Sequence, residues 1–348
     1  MRECGMKRFE RLTLGAVGLL AALAASAGIA SAQQSRTLDL VKARGMLVCG
    51  VNTGVAGFSA PDDKGGWAGI DVDLCRAVAA AVFKDASKVK YVPLTAKERF
   101  TALQSGEIDL LSRNTTWTMS RDTSAGLNFA GVNYYDGQGF MVKKQLGVKS
   151  AKELDGATVC VQTGTTTELN VTDYFRSNKM QLKPVVFEKL DETVAAYNAG
   201  RCDAFTSDVS QLYSERLKSA KPEDNMVLPE VISKEPLGPA VRQGDPGWAN
   251  LVRWTHFAMV NAEELGVTSQ NVDEMLGSAS PEVRRMLGKE GDFGKGVGVE
   301  NDWAYQIVKQ VGNYGEVFER NVGSGSRLGI ARGLNQLWTK GGLQYAPP

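Results

Sequence analysis

The chain has 348 residues, 43% hydrophobic and 23% charged, with a net charge of +1. This length supplies enough chain for two compact cores. Near-neutral charge with both signs dispersed excludes a nucleic-acid binder, which needs a basic face.

Residues 1–32 read as a secretory signal peptide. Arg2, Lys7, Arg8 and Arg11 form a basic start, residues 12–29 carry no charge, and Ala30-Ser31-Ala32 is a small-x-small cleavage site. A transmembrane anchor is the alternative, but the run is rich in Ala and Gly and cleavage follows at once. Cys4 is lost with this leader. So is a net charge of +2, which leaves the mature chain at about −1. No later run is long enough to span a bilayer, so an exported protein that is not membrane-embedded is expected.

The mature chain then alternates. A short helix over 38–43 and a buried strand over 46–51 precede a Gly-, Pro- and Asp-rich loop over 52–69. Residues 71–83 form a strong helix whose Asp71 and Asp73 suit its positive end. A strand over 88–92, a helix over 96–105 and a strand over 108–111 follow. Such alternation predicts an α/β fold with a mainly parallel sheet. Residues 139–142 read as a strand leaving the first half.

After a basic stretch the pattern restarts, with strands over 157–161, 185–187 and 203–205 and helices over 165–177, 191–198 and 209–218. Two segments make the same local statement: Gly106-Glu-Ile-Asp109 and Gly200-Arg-Cys-Asp203 each stop a helix at a glycine and lead through an Asp into a strand. Repetition one lobe apart predicts two similarly built halves with a ligand between them. The return to the first half is expected within 234–246. A helix over 248–265, a glycine-rich loop over 293–299, one apolar helical stripe over 301–321 and a short helix over 334–338 complete it.

Four cysteines remain: Cys49, Cys75, Cys160 and Cys202. An even number in an exported chain predicts disulfides. Of three possible pairings, Cys49–Cys75 and Cys160–Cys202 are favoured because each lies within one half; some could instead be small buried apolar residues. No cysteine pair has metal-ligand spacing and there is one histidine, so no metal site or cofactor is expected.

Three features lie beyond strand ends, where open α/β sheets place ligands. Residues 112–121 hold Asn114, Thr116 and Arg121, whose planar donor fork matches a carboxylate; a surface arginine on a polar loop is the alternative. Arg113 beside them is expected at the surface, with attraction of an acidic ligand side chain as the alternative. Gly164-Thr165-Thr166 opens a helix, and its free N–H groups favour an anion, although a plain N-cap with Glu168 fits equally. Asp208 is placed to receive an ammonium group, or to cap the next helix. Together these match the two ends of a zwitterion.

On these residues, with Val48-Cys-Gly-Val51, Trp67-Ala-Gly-Ile-Asp71 and Gly200-Arg-Cys-Asp203, the mature chain resembles the periplasmic polar amino-acid-binding proteins of ABC transporters, notably the general L-amino acid-binding group (solute-binding protein family 3). The resemblance implies a type II periplasmic-binding-protein-like fold. Two α/β lobes enclose a cleft, with two hinge crossovers near Val142 and Lys234; lobe 1 would span 33–142 plus 235–348, and lobe 2 143–234. It implies an α-carboxylate on Arg121, Asn114, Thr116, Thr165 and Thr166, and an α-ammonium on Asp208. Asn52 stands where basic-ligand binders carry an acid, and Phe58 is the aromatic nearest the stacking position, which points to broad specificity. Implied partners are a free L-amino acid and an inner-membrane permease, and the protein would be a periplasmic monomer without catalytic residues. An enzyme of the same fold, dehydratase-like, and a ligand-presenting sensor are the alternatives. A hydrolase would have to use His256, expected as a structural residue inside a helix.

Overall fold

The computed structural model describes residues 35–62 and 65–348. The expected signal peptide, with Cys4 and the cleavage site, lies outside the described residues. The chain begins with α1 (Arg36–Arg44), β1 (Leu47–Asn52), the small hairpin β2 (Ala60–Pro61) and β3 (Trp67–Ala68), and α2 (Ile70–Phe83). Next come β4 (Val89–Leu94), α3 (Arg99–Ser105), β5 (Leu110–Leu111), α4 (Met119–Ser124) and β6 (Leu127–Phe129). Then β7 (Tyr134–Lys143), β8 (Thr158–Gln162), α5 (Thr166–Ser177), β9 (Lys183–Phe187), α6 (Leu190–Asn198), β10 (Ala204–Asp208), α7 (Val209–Lys218) and β11 (Asn225–Val227) follow. The chain returns through β12 (Lys234–Leu237) and β13 (Ala240–Arg242).

Apart from the β2–β3 hairpin, these strands form two sheets. The first has the order β4-β1-β5-β13-β6, with β1 parallel to β4 and β5 and with β13 antiparallel to β5 and β6. The second has the order β11-β7-β10-β8-β9; β8 is parallel to β9 and β10, while β7 runs antiparallel to β10, β11 and β12. The strand at 139–142, expected to close the first half, is thus part of a longer strand inside the second sheet. The chain passes between sheets after Phe129 and returns after Leu237, and β7 and β12 pair Glu235 with Asp136 on the way.

The repeated Gly–Asp segments adopt one geometry. Gly106 and Gly200 take φ of +85° and +76° to end their helices. Asp109 then accepts the Val48 N–H on its carboxylate at 2.8 Å, and Asp203 accepts that of Thr158 at 2.7 Å. Each carboxylate thereby satisfies a strand-end donor that would otherwise lack a partner. The two disulfides are Cys49–Cys75, tying β1 to α2, and Cys160–Cys202, tying β8 to the approach to β10.

Next comes α8 (Pro246–Glu264), which packs on β13, then the short α9 (Val272–Met275), α10 (Pro281–Met286) and α11 (Phe293–Gly296), and then α12 (Trp303–Gln310) and α13 (Tyr314–Asn321), which pack on α2 and α8. Buried Trp248 of α8 donates its indole N–H to the Asp109 carbonyl at 2.9 Å. The single stripe expected over 301–321 is two helices. Gly312, at φ +97°, breaks it, and Asn313 with Glu316 forms a capping box that starts the second helix. The helix expected over 334–338 is two 3-10 turns, Gly333–Asn335 and Trp338–Lys340. Among the described residues, no helix is long and apolar enough to cross a membrane.

Candidate ligand cleft

The loop after β5 is shaped by a buried acid. The Asp71 carboxylate, at the start of α2, accepts the Asn114 N–H at 2.7 Å and bonds from Ser112 Oγ and Asn133 Nδ2, each at 3.3 Å. These bonds hold Asn114 at φ +32°, a conformation asparagine tolerates better than most residues. Burial pushes the Asp71 carboxyl up to about 6, against the pull of these donors. Asn114 in turn accepts from Asn52 Nδ2 at 2.8 Å and donates to Gln211 Oε1 of α7 at 3.3 Å.

The loops of the two sheets meet around a narrow cleft. Asn114, Thr116, Thr165, Thr166 and Asp208 line it. Arg121 stands behind Thr116 and donates from Nη1 to its carbonyl at 2.9 Å. Asn52 reaches the cavity only through Asn114. Phe58 is not brought there: its ring is in the core, edge-on to Tyr134 at 5.0 Å. Thr165 caps α5, accepting the Glu168 N–H at 3.2 Å, as the N-cap reading of Gly164-Thr165-Thr166 expects. Asp208 ends β10 and precedes α7 without making a side-chain cap bond.

The lobes touch across this cleft. Besides Asn114–Gln211, the Thr116 and Thr166 hydroxyls approach to 3.3 Å, and Arg99 Nη2 donates to the Gly164 carbonyl at 3.4 Å. Lys97 and Glu188 form an exposed pair at 3.5 Å.

Electrostatically the cavity is unusual. Arg99, Arg113 and Arg121 are all buried, as is Asp208, and among the described residues none forms a direct ion pair. Arg113, expected at the surface, is 3% exposed and lines the cavity, because its Nε is drawn in to the Leu94 carbonyl at 2.9 Å. Burial lowers its pKa to about 10, with Asp71 pulling the other way. Arg99 is lowered well below its ordinary value by burial and then by the positive charges of Arg121 and Arg113. Among the described residues its Nε has no partner, and its guanidinium lies 4.7 Å from the Phe100 ring, with that of Arg121 at 5.3 Å. Asp208 is raised well above the usual carboxylate range by burial, then by Asp136 and Glu235. Such charges are costly unless something supplies opposite charge.

Sequence reasoning misses Arg99 and Glu235. Arg99 has a legible signal, since it opens the helix just beyond the carboxyl end of β4. Glu235 has none: it sits in a proline-rich return segment, and its partners across the cleft are 65 to 119 residues away.

Residues 47–270 match the model of the bacterial extracellular solute-binding proteins, family 3. The chain belongs to this family. Over 321 residues, 92% of this chain and 94% of the relative, it is 64% identical to the general L-amino acid-binding periplasmic protein AapJ of Rhizobium johnstonii. Over 327 residues, 94% of this chain and 97% of the relative, it is 56% identical to the glutamate/glutamine/aspartate/asparagine-binding protein BztA of Rhodobacter capsulatus. Among solved structures, an ABC transporter periplasmic binding protein from Brucella ovis with glutathione bound is 62% identical. It has a TM-score of 0.89 and the match covers 90% of this chain and 99% of that one. This family-3 chain is therefore a two-lobe solute-binding protein of ABC import and not an enzyme. Consistent with that, His256 is 3% exposed and packed edge-on to Tyr314; burial pushes its pKa down to about 4, which leaves it neutral.

Proposed function

We propose that this protein is the periplasmic receptor of an amino-acid importer, and that its ligands are free L-amino acids with acidic or amide side chains. The observation that carries this is the set of buried, unpaired charges around one cavity: three guanidiniums on the first lobe and one carboxylate on the second. An amino acid completes them. Its α-carboxylate meets Arg121 and the free N–H groups opening α5 at Thr166, with Asn114 and Thr116 alongside, while its α-ammonium meets Asp208. Arg113 already has Asp71 nearby, so Arg99 is the cation left for a side-chain carboxylate or amide. The name of the Rhodobacter relative supports this narrower range, and that of the Rhizobium relative a broader one. Phe58 is not in this set.

The lobes close over the ligand by flexing across the paired strands β7 and β12, which puts the lobe boundary nearer Tyr134 than Val142. The closed form then delivers to the inner-membrane permease. Residues 1–32 direct export and are removed, and the cleft is complete within one chain, as a monomer requires.

A second reading has its own support. Glutathione carries an amino-acid head and a further carboxylate, which also suits three guanidiniums, and the Brucella structure holds it. Calorimetric titration of unfolded-and-refolded mature protein with L-amino acids and glutathione separates these. Acidic and amide amino acids should bind at least about tenfold more tightly than alanine, and Arg99→Met should abolish that ratio while sparing alanine. Glutathione binding without glutamate binding would favour the second reading, and no binding by any of them would refute both.

A further inference from the structure

Glu235 is 1% exposed on the return strand β12, and its carboxylate takes four hydrogen bonds. Oε2 accepts from Thr116 Oγ1 at 2.6 Å and Thr166 Oγ1 at 2.9 Å. Oε1 accepts from Asn170 Nδ2 at 2.7 Å and Ser233 Oγ at 2.6 Å. Thr116 belongs to the first lobe, Thr166 and Asn170 to the second, and Glu235 to the crossover between them. One oxygen therefore holds a hydroxyl from each side of the cleft.

A threonine hydroxyl has one proton. With both protons given to Glu235, the 3.3 Å approach of the two hydroxyls is not itself a hydrogen bond, and each offers the cavity only lone pairs. We propose that Glu235 is a positioning residue and closure latch: it turns Thr116 and Thr166 into acceptors and ties the lobes together when they close. On the amino-acid reading, on which this half of the inference rests, the α-carboxylate is held by Arg121 and backbone N–H groups, not by these hydroxyls. Opening the cleft separates Thr116 from Thr166, so at least one charge-assisted bond to Glu235 breaks.

The test uses full-length mature protein with a fluorophore on each lobe, at exposed Lys90 and Lys179 replaced by cysteine. Wild type, Glu235→Gln, Thr166→Val and the double variant are compared for lobe distance without ligand and for L-glutamate affinity. The Glu235→Gln side chain keeps one acceptor oxygen and turns a donor toward the partners of the other. The closed-to-open ratio should fall about tenfold in each single variant, or glutamate Kd should rise about tenfold where the free protein is already open. The double variant should be no worse than the poorer single, because both remove the same bond. Additive losses, or a lowered melting temperature with ratio and Kd unmoved, would overturn the latch. Failure of any amino acid to bind, with Glu235→Gln still opening the free protein, would refute the amino-acid reading and leave the latch standing. Failure of binding together with an open wild type would overturn both.

Discussion

Asp109 in the first lobe and Asp203 in the second do one job, each accepting a neighbouring strand's N–H at 2.8 and 2.7 Å and returning its own N–H at 2.9 Å. Their surroundings differ. Asp109 is covered by α8 and Trp248, and burial raises its carboxyl above the ordinary value, whereas exposed Asp203 is held below it by the Thr158 hydroxyl and N–H. The cleft loops diverge in the same way. The first lobe supplies Arg99, Arg113 and Arg121; the second supplies the start of α5 and Asp208. One backbone plan thus carries two opposite electrostatic tasks, decided by what each end residue is and what covers it.

The contrast breaks most severely at the cation proposed to face the ligand carboxylate. Arg121→Ala should weaken glutamate binding by about 4 kcal/mol, since it leaves a buried anion unpaired; calorimetry showing unchanged affinity would remove Arg121 from the site. The disulfides probe the shared scaffold instead. Changing both Cys49 and Cys75 to serine, or both Cys160 and Cys202, should cost about 3–4 kcal/mol in urea unfolding. The separations of 26 and 42 residues make the second loss larger by a few tenths of a kcal/mol on the loop-closure model, ~0.4. Asp208→Asn should cost about 2 kcal/mol of glutamate affinity, less than Arg121→Ala because an amide still accepts from an ammonium. A variant as tight as wild type would take Asp208 out of ammonium binding.

The smallest effect sharpens the Asp109–Asp203 comparison. Asp203 has a folded pKa below the ordinary 3.8, so its stabilisation is present above that value and lost as pH falls through the folded one. Asp109 has a folded pKa above 3.8, so the folded state gains stability as pH falls through that raised value. Unfolding free energies between about pH 3 and pH 6 should therefore show Asp203→Asn removing an acid-side loss and Asp109→Asn removing an acid-side gain. Parallel shifts would mean that burial does not separate the pair.

Much of this plan is readable from local chemistry. The glycine stops, the Asp–strand junctions and the alternating α/β order are short-range signals, and both sheets follow them. Arg121 and Asp208 stand out because one lies in the loop region beyond β5 and the other at the carboxyl end of β10. What escapes depends on distant parts of the chain. Arg113 looks like a surface residue until the Leu94 carbonyl draws it inward, and Glu235 has meaning only once two lobes bring Thr116 and Thr166 to it. The stripe over 301–321 keeps its period through Gly312, where periodicity is blind to backbone sign. Phe58 is the nearest aromatic along the chain, but its ring faces Tyr134 in the core.

The most direct test is to titrate refolded, ligand-free mature protein with L-glutamate and with N-acetyl-L-glutamate. The two share both carboxylates, and acetylation replaces the ammonium with a neutral, bulkier amide. If Arg121 and the start of α5 hold the carboxylate and Asp208 holds the ammonium, glutamate should bind at least about 100-fold more tightly, because acetylation leaves Asp208 buried without its partner. Equal binding of the two would contradict the division of charge between the lobes.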